Sequence, residues 1–149
     1  MLKSSFYKNR IVNMCIAALT IIYALIMIKL LFLRGYSYYW DSYNYNLVPF
    51  ETIKRYVFNR HSFNQDIWVK NLFGNIILFI PLGLAIPTLN IKYMKVIPFV
   101  LFVLSILISV ELIQMFTKVG SLDIDDIILN TFGSLIGLGV TRLFIHRKV

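Results

Sequence analysis

Residues 96–116 read VIPFVLFVLSILISVELIQMF, an apolar run broken only near its end by Glu111 and Gln114. Three other stretches share that character. One is 11–33, interrupted by Lys29; one is 72–89, carrying Pro81 and Pro87; the last is 127–145, with Asn130 near its start and Arg142 near its finish. At the helical rise per residue these stretches reach roughly 27 to 35 Å, which matches the hydrocarbon core of a bilayer. Backbone groups inside lipid must be satisfied within the segment, so the stretches are expected to be helices; the short alternating segments of a β-barrel do not occur. The expected fold class is all-α: a polytopic membrane protein, a bundle of about four transmembrane helices with one longer extracytoplasmic loop. The whole chain, 1–149, reads as a single domain, with 11–33 as its N-terminal anchor helix.

Composition agrees. The 149 residues are 58% hydrophobic and only 15% charged, with a mean hydropathy of +0.73. A water-soluble domain is nearer half apolar and a quarter charged. Disorder is excluded by the same numbers. The lone cysteine, Cys15, rules out an internal disulfide and a Cys-rich zinc site. A net charge of +8 in so hydrophobic a chain fits an anionic bilayer surface, and nucleic acid is not an expected partner.

Lys3, Lys8 and Arg10 precede the first apolar run, as in a signal peptide, but the run is long and ends in Leu33-Arg34-Gly35-Tyr36 without a small-residue cleavage site. It reads as an uncleaved anchor. Flanking basic residues set orientation. Lys3, Lys8, Arg10, Lys92, Lys95, Arg147 and Lys148 fall on one side; Arg34, Lys54, Arg55, Arg60, Lys70 and Lys118 fall on the other, mostly in the long loop 34–71. The expectation is a multi-pass plasma-membrane protein with both termini cytoplasmic. The aromatic run Tyr36-Ser37-Tyr38-Tyr39-Trp40, with Tyr43 and Tyr45, reads as an interface belt or, alternatively, as a stacking platform for a ligand. Lys29 and Arg142 are expected to snorkel, and His61 and His146 stand alone.

The depth of the polar residues carries more information. In a four-helix topology Asn71 and Asn75 open the second span, Glu111 and Gln114 close the third, and Asp123, Asp125, Asp126 and Asn130 open the fourth. All lie toward one leaflet, the outer one in the expected orientation, and are expected to converge. Asp123, Asp126 and Asn130 fall on one stripe at i, i+3 and i+7, with Asp125 pointing elsewhere, toward solvent. Gly133 and Gly137 continue that stripe as a small-xxx-small pair suited to close helix approach. Asp123 reads as an N-cap. Glu111, an ionisable group within a span, suggests function by its placement alone, the bland alternative being a clamp with Gln114 and Asn75. Lys118, Lys70 and the loop arginines are its candidate cations.

Four ordered blocks now stand out: Asn46-Leu47-Val48-Pro49-Phe50-Glu51-Thr52-Ile53; Gly74-Asn75-Ile76-Ile77-Leu78-Phe79-Ile80-Pro81-Leu82-Gly83; Glu111-Leu112-Ile113-Gln114; and Asp123-Ile124-Asp125-Asp126-Ile127-Ile128-Leu129-Asn130-Thr131-Phe132-Gly133. Over about 46–140 they resemble the VanZ-like family of small bacterial membrane proteins. The resemblance implies a polytopic plasma-membrane protein associated with low-level teicoplanin resistance. Gly120-Ser121-Leu122 stands where the family often carries an arginine before its acidic block.

Two functional expectations follow. The first is a non-enzymatic protein modulating lipoglycopeptide susceptibility at the outer face through a polar, acidic pocket. Its ligand-binding candidates are Asn75, Glu111, Gln114, Asp123, Asp126 and Asn130, with Pro49, Phe50 and Glu51 as loop candidates. A lipid-linked wall precursor or a lipoglycopeptide would be its partner besides the lipid bilayer. The alternative is an intramembrane enzyme acting on a lipid-linked wall precursor, with Glu111 and Asp126 as an acid/base pair, or with Asp123 and Asp126 holding a divalent cation. No cofactor is expected. Phosphate-cradling loops, nucleophile motifs and HExxH-type zinc motifs do not occur in the sequence.

Overall fold

Each apolar stretch forms a helix. In chain order the helices are α1 (Arg10–Phe32), the short extramembrane α2 (Glu51–Phe58), α3 (Asn75–Leu89), α4 (Val96–Phe116) and α5 (Ile124–His146). The computed structural model describes residues 10–33, 41–59 and 68–146. The aromatic run at 36–40, Arg34, Arg60, His61 and the terminal basic residues Lys3, Lys8, Arg147 and Lys148 lie outside these ranges. A π-helical turn, Lys70–Gly74, leads into α3, and together they make the second span. Among the described residues four helices are long and apolar enough to cross a bilayer, which makes this a multi-pass membrane protein. Added to them is one small parallel pairing: β1 (Tyr45–Asn46) lies beside β2 (Leu122–Asp123), with Asn46 opposite Asp123.

The tightest contact in the bundle is between α3 and α5, and glycine permits it. A Cβ at Gly133 would overlap the carbonyl of Ile76; one at Gly137 would overlap the carbonyl of Ile80 and come 2.8 Å from the Cα of Gly83. Gly83 in turn faces the carbonyl of Ser134. Lipid tails are as apolar as the helix faces, so burying leucine gains little here; close backbone packing and interhelical hydrogen bonds replace it. The hydroxyl of Thr141 donates to the carbonyl of Gly137 at 3.0 Å within its helix and reaches that of Gly83 at 3.3 Å across the interface. Ser134 does the same with Asn130, at 2.9 Å, and Phe79, at 3.4 Å. Pro81 and Pro87 lie within α3, which runs through both.

Helix α4 buries one stripe: Phe99, Val103 and Leu107, spaced four apart, meet Phe79 and Ile86 of α3 and Leu138 of α5. The next residue on that stripe is Glu111. The position that sets an acid inside the protein is thus a packing position, one turn beyond three core residues. Helix α1 adds only Met27 to the core. It is tied down by the Tyr23 hydroxyl, which donates to the Leu78 carbonyl, and by the Gln114 amide, which donates to the Leu31 carbonyl at 2.9 Å.

These ties fix the topology. The end of α1, the start of α3, the end of α4 and the start of α5 share one end of the bundle. At the opposite end Asn90 receives the Lys92 N–H at 2.9 Å and opens the short 3-10 turn Ile91–Met94. Arg142 does not snorkel: its guanidinium grips the Met94 carbonyl, with Nε at 2.8 Å and Nη2 on the same oxygen. An arginine beside a free carbonyl finds there a charge-assisted partner, and the planar fork suits a single oxygen approached by two N–H groups.

Gly137→Leu is expected to lower the stability of the detergent-solubilised protein by about 1–3 kcal/mol through overpacking. Nothing lies within 4 Å of a Cβ at Gly139, so Gly139→Leu should leave stability near the wild-type value. Unfolding titrations in mixed micelles check both.

Candidate functional site

The site begins with the turn between α4 and α5. Beyond Phe116 the N–H groups of Val119 and Gly120 both return to the Gln114 carbonyl, at 3.1 and 3.3 Å, while Lys118 takes a left-handed φ of 58°. The chain then runs extended through β2, and the Asp123 N–H donates to Oε2 of the buried Glu111 at 3.1 Å. Glu111 therefore fastens the last turn of its own helix to the residue that starts the next. The clamp with Gln114 and Asn75, the alternative weighed against a functional role for it, does not form among the described contacts. Gln114 instead reaches α1, because its side chain leaves α4 on another face.

Asp123 is the N-cap of α5. Its Oδ1 accepts the Asp125 N–H at 2.9 Å, which satisfies one donor that the first turn of a helix otherwise leaves free. Its second oxygen accepts the Thr52 hydroxyl at 2.7 Å, and the Asn46 amide reaches Oδ1 at 3.4 Å. Asn46 also donates to Thr52 at 2.9 Å and accepts the Val48 N–H at 3.1 Å. One carboxylate thereby joins the start of α5 to β1 and α2.

Asp125, expected to face solvent, is fully buried. Its two oxygens accept the N–H groups of Phe50, at 2.5 Å, and Ile53, at 3.0 Å. Those are the free donors at the start of α2, whose N-cap position holds Phe50, a residue with no capping side chain. An aspartate from a different helix supplies the cap. The reason the expectation failed is visible in the sequence: the N-cap position of α2 holds Phe50 rather than Ser, Thr, Asp or Asn, so its cap comes from elsewhere. Asn46 and Thr52 were missed for a related reason. The partner they share, Asp123, lies more than seventy residues away.

Asp126 and Asn75 meet across the α3–α5 interface, with the amide donating to Oδ1 at 2.5 Å. Glu111 lies within electrostatic reach of both Asp126 and Asp123. Asn130, one turn further along α5, is buried and its Oδ1 has no hydrogen-bond partner. Of the remaining candidates, Pro49 and Phe50 are exposed at the edge of α2, and Glu51 turns away to pair with Arg55 at 3.1 Å. Asn71 donates to the Tyr56 hydroxyl at 2.8 Å, linking α3's leading turn to α2.

The cluster is rich in acceptors and poor in positive charge. Among the described residues no lysine or arginine forms an ion pair with Glu111, Asp123, Asp125 or Asp126; Arg55–Glu51 is the one such pair. Lys118, a candidate counter-ion, instead donates to the Asp41 carbonyl at 3.1 Å and stands over the Tyr43 ring. Both oxygens of Asp123 are engaged by hydrogen bonds, and among the described residues no group of three or more His, Cys, Asp or Glu is placed to hold a metal ion. Among the described residues no hydrogen bond reaches the second oxygen of Asp126, the second oxygen of Glu111 or the Asn130 carbonyl oxygen, and the buried Asn44 Nδ2 and Thr131 Oγ1 also have no partner.

Removing the remote cap should loosen α2 alone. Hydrogen bonds to a charged group contribute about 1.5–3 kcal/mol each, so Asp125→Ala should speed amide exchange through the first turn of α2 strongly. Asp125→Asn keeps one acceptor and should fall between. Hydrogen-exchange mass spectrometry on residues 50–58 reads the difference; unchanged protection in both variants would remove the cap from the account.

Comparison with known proteins now bears on this arrangement. A model of the VanZ/LLP1 family matches residues 20–145, reaching into α1 beyond the 46–140 stretch that carries the motifs. Protein VanZ of Enterococcus faecium is 34% identical over 82 residues, which cover 53% of this chain and 50% of that protein. The matched stretch thus spans about half the length of that relative. No solved structure matches the chain. Four apolar helices, and a match that runs from the first of them to the end of the last, make the chain a member of the VanZ/LLP1 family.

Proposed function

We propose that this protein lowers susceptibility to lipoglycopeptides such as teicoplanin at the outer face of the plasma membrane. It would do so without catalysing a reaction, by engaging a polar headgroup at the acidic end of the bundle. The observation that carries this reading is the excess of carboxyl and amide oxygens over cations at that end. Asp126 and Glu111 each keep an oxygen that takes no hydrogen bond from a described residue, Asn130 keeps a buried one, and no described cation pairs with them. Carboxyl groups held this way within a span are costly and favour a ligand that brings polar partners to them. A wall precursor or the antibiotic itself would supply such partners beside an apolar tail. The orientation in this reading, with both termini cytoplasmic, rests on the basic residues at 92 and 95 and near the two chain ends. Asn75 then acts as a positioning residue, holding Asp126 through one oxygen and leaving the other free.

An enzymatic reading would need the same two carboxylates to work as an acid and a base. Their shared location favours that reading only weakly, because the other oxygen of each is engaged by an amide donor rather than by a group that could act as a nucleophile.

The test compares teicoplanin susceptibility in a strain lacking this gene and complemented with wild type, Glu111→Gln or Asp126→Asn at equal membrane levels. Both substitutions keep shape and one acceptor while removing charge, and each should return susceptibility toward that of the uncomplemented strain. Full protection by both would exclude the carboxylates from the mechanism.

A further inference from the structure

Helix α2 lies outside the four spans, yet much of its outer surface is apolar. Phe50 is 51% exposed, Val57 52% and Phe58 76%, and Leu47 and Val48 just before the helix are 58% and 59% exposed. Helical spacing explains the pattern. Thr52, Ile53 and Tyr56 turn toward the protein, whereas Phe50, Lys54, Val57 and Phe58 fall at i, i+4, i+7 and i+8 and share the outward face. Glu51 and Arg55 flank that face and pair with one another.

The height of α2 is fixed by two ties. Asp125, in the first turn of α5, holds its start, and Asn71, in the first turn of the second span, bonds Tyr56 near its end. Both anchors sit where an apolar span begins. The outward face of α2 is therefore held at the level where the apolar spans begin. Its chemistry fits that level: aromatic and aliphatic groups for the acyl boundary, and Lys54 for anionic headgroups.

We propose that α2 is an interfacial helix, its Phe50–Val57–Phe58 face resting in the headgroup region of the same bilayer that the four spans cross. Lys54 reaches the phosphates, and the Glu51–Arg55 flank stays in water. Asp125 serves this arrangement as the pin that keeps the helix flat against the membrane. The proposal does not depend on what the acidic cluster binds.

The test uses the full chain in nanodiscs of phosphatidylcholine and phosphatidylglycerol. Single cysteines are introduced in a Cys15→Ser background as Phe58→Cys or Arg55→Cys and labelled with an environment-sensitive fluorophore. Quenching is then measured with nitroxide-bearing lipids and with aqueous iodide. A label at position 58 should be quenched by the lipid nitroxide at least about twofold more than one at position 55, with the order reversed for iodide. Equal lipid quenching at both positions, or quenching of position 58 by iodide alone, would overturn the proposal. Protection of position 58 from both quenchers would overturn it too, since a protein surface such as a second copy would then cover the face.

Discussion

One short acidic segment, Asp123 to Asp126, holds the polar end of this protein together. Asp123 caps the helix it precedes, Asp125 caps a helix from another part of the chain, and Asp126 ties α5 to α3. None of these contacts is an ion pair. Each pairs a carboxylate with N–H or O–H groups of the backbone or of neutral side chains, which is how negative charge is best held at helix N-termini. Two N-termini point at adjacent acids, so both helix dipoles favour the same small region. Glu111 joins them through the Asp123 N–H, and the two-residue pairing of β1 with β2 brings Asn46 and Thr52 to the same place.

This dependence divides the molecule. The buried stripe of α4 and the glycine contact of α3 with α5 supply packing along most of the membrane depth. The acidic segment supplies connection at one end and Arg142 at the other. Helix α1 stands apart from both, tied to its neighbours through Met27 in the core and the hydrogen bonds of Tyr23 and Gln114.

The bundle was readable from residue order because hydrophobic length is a local property. The span 96–116 matches α4 at both ends, and the small-xxx-small pair at Gly133 and Gly137 marked the face that meets α3. The fourth helix begins earlier than its apolar run because Asp123, not hydrophobicity, sets its start. The acidic site was legible in part. Asn75 with Asp126 and Glu111 with Asp123 share one end, as polar depth suggested, whereas Gln114 and Glu51 turn to other partners. Asp125 was misjudged because helical periodicity describes one helix at a time, and its partners belong to another. The same limit hid Arg142, whose carbonyl partner is exposed only by a turn that the sequence does not announce.

The bond between Glu111 and the Asp123 N–H also bears on how such a chain enters a membrane. When α4 leaves the ribosome its glutamate has no mate, and the amide that satisfies it is synthesised a dozen residues later, at the mouth of α5. A lone acid near the end of an otherwise greasy segment resists release into lipid, and its resistance ends once the following hairpin is complete. The two segments are therefore better accommodated in lipid together than either would be alone.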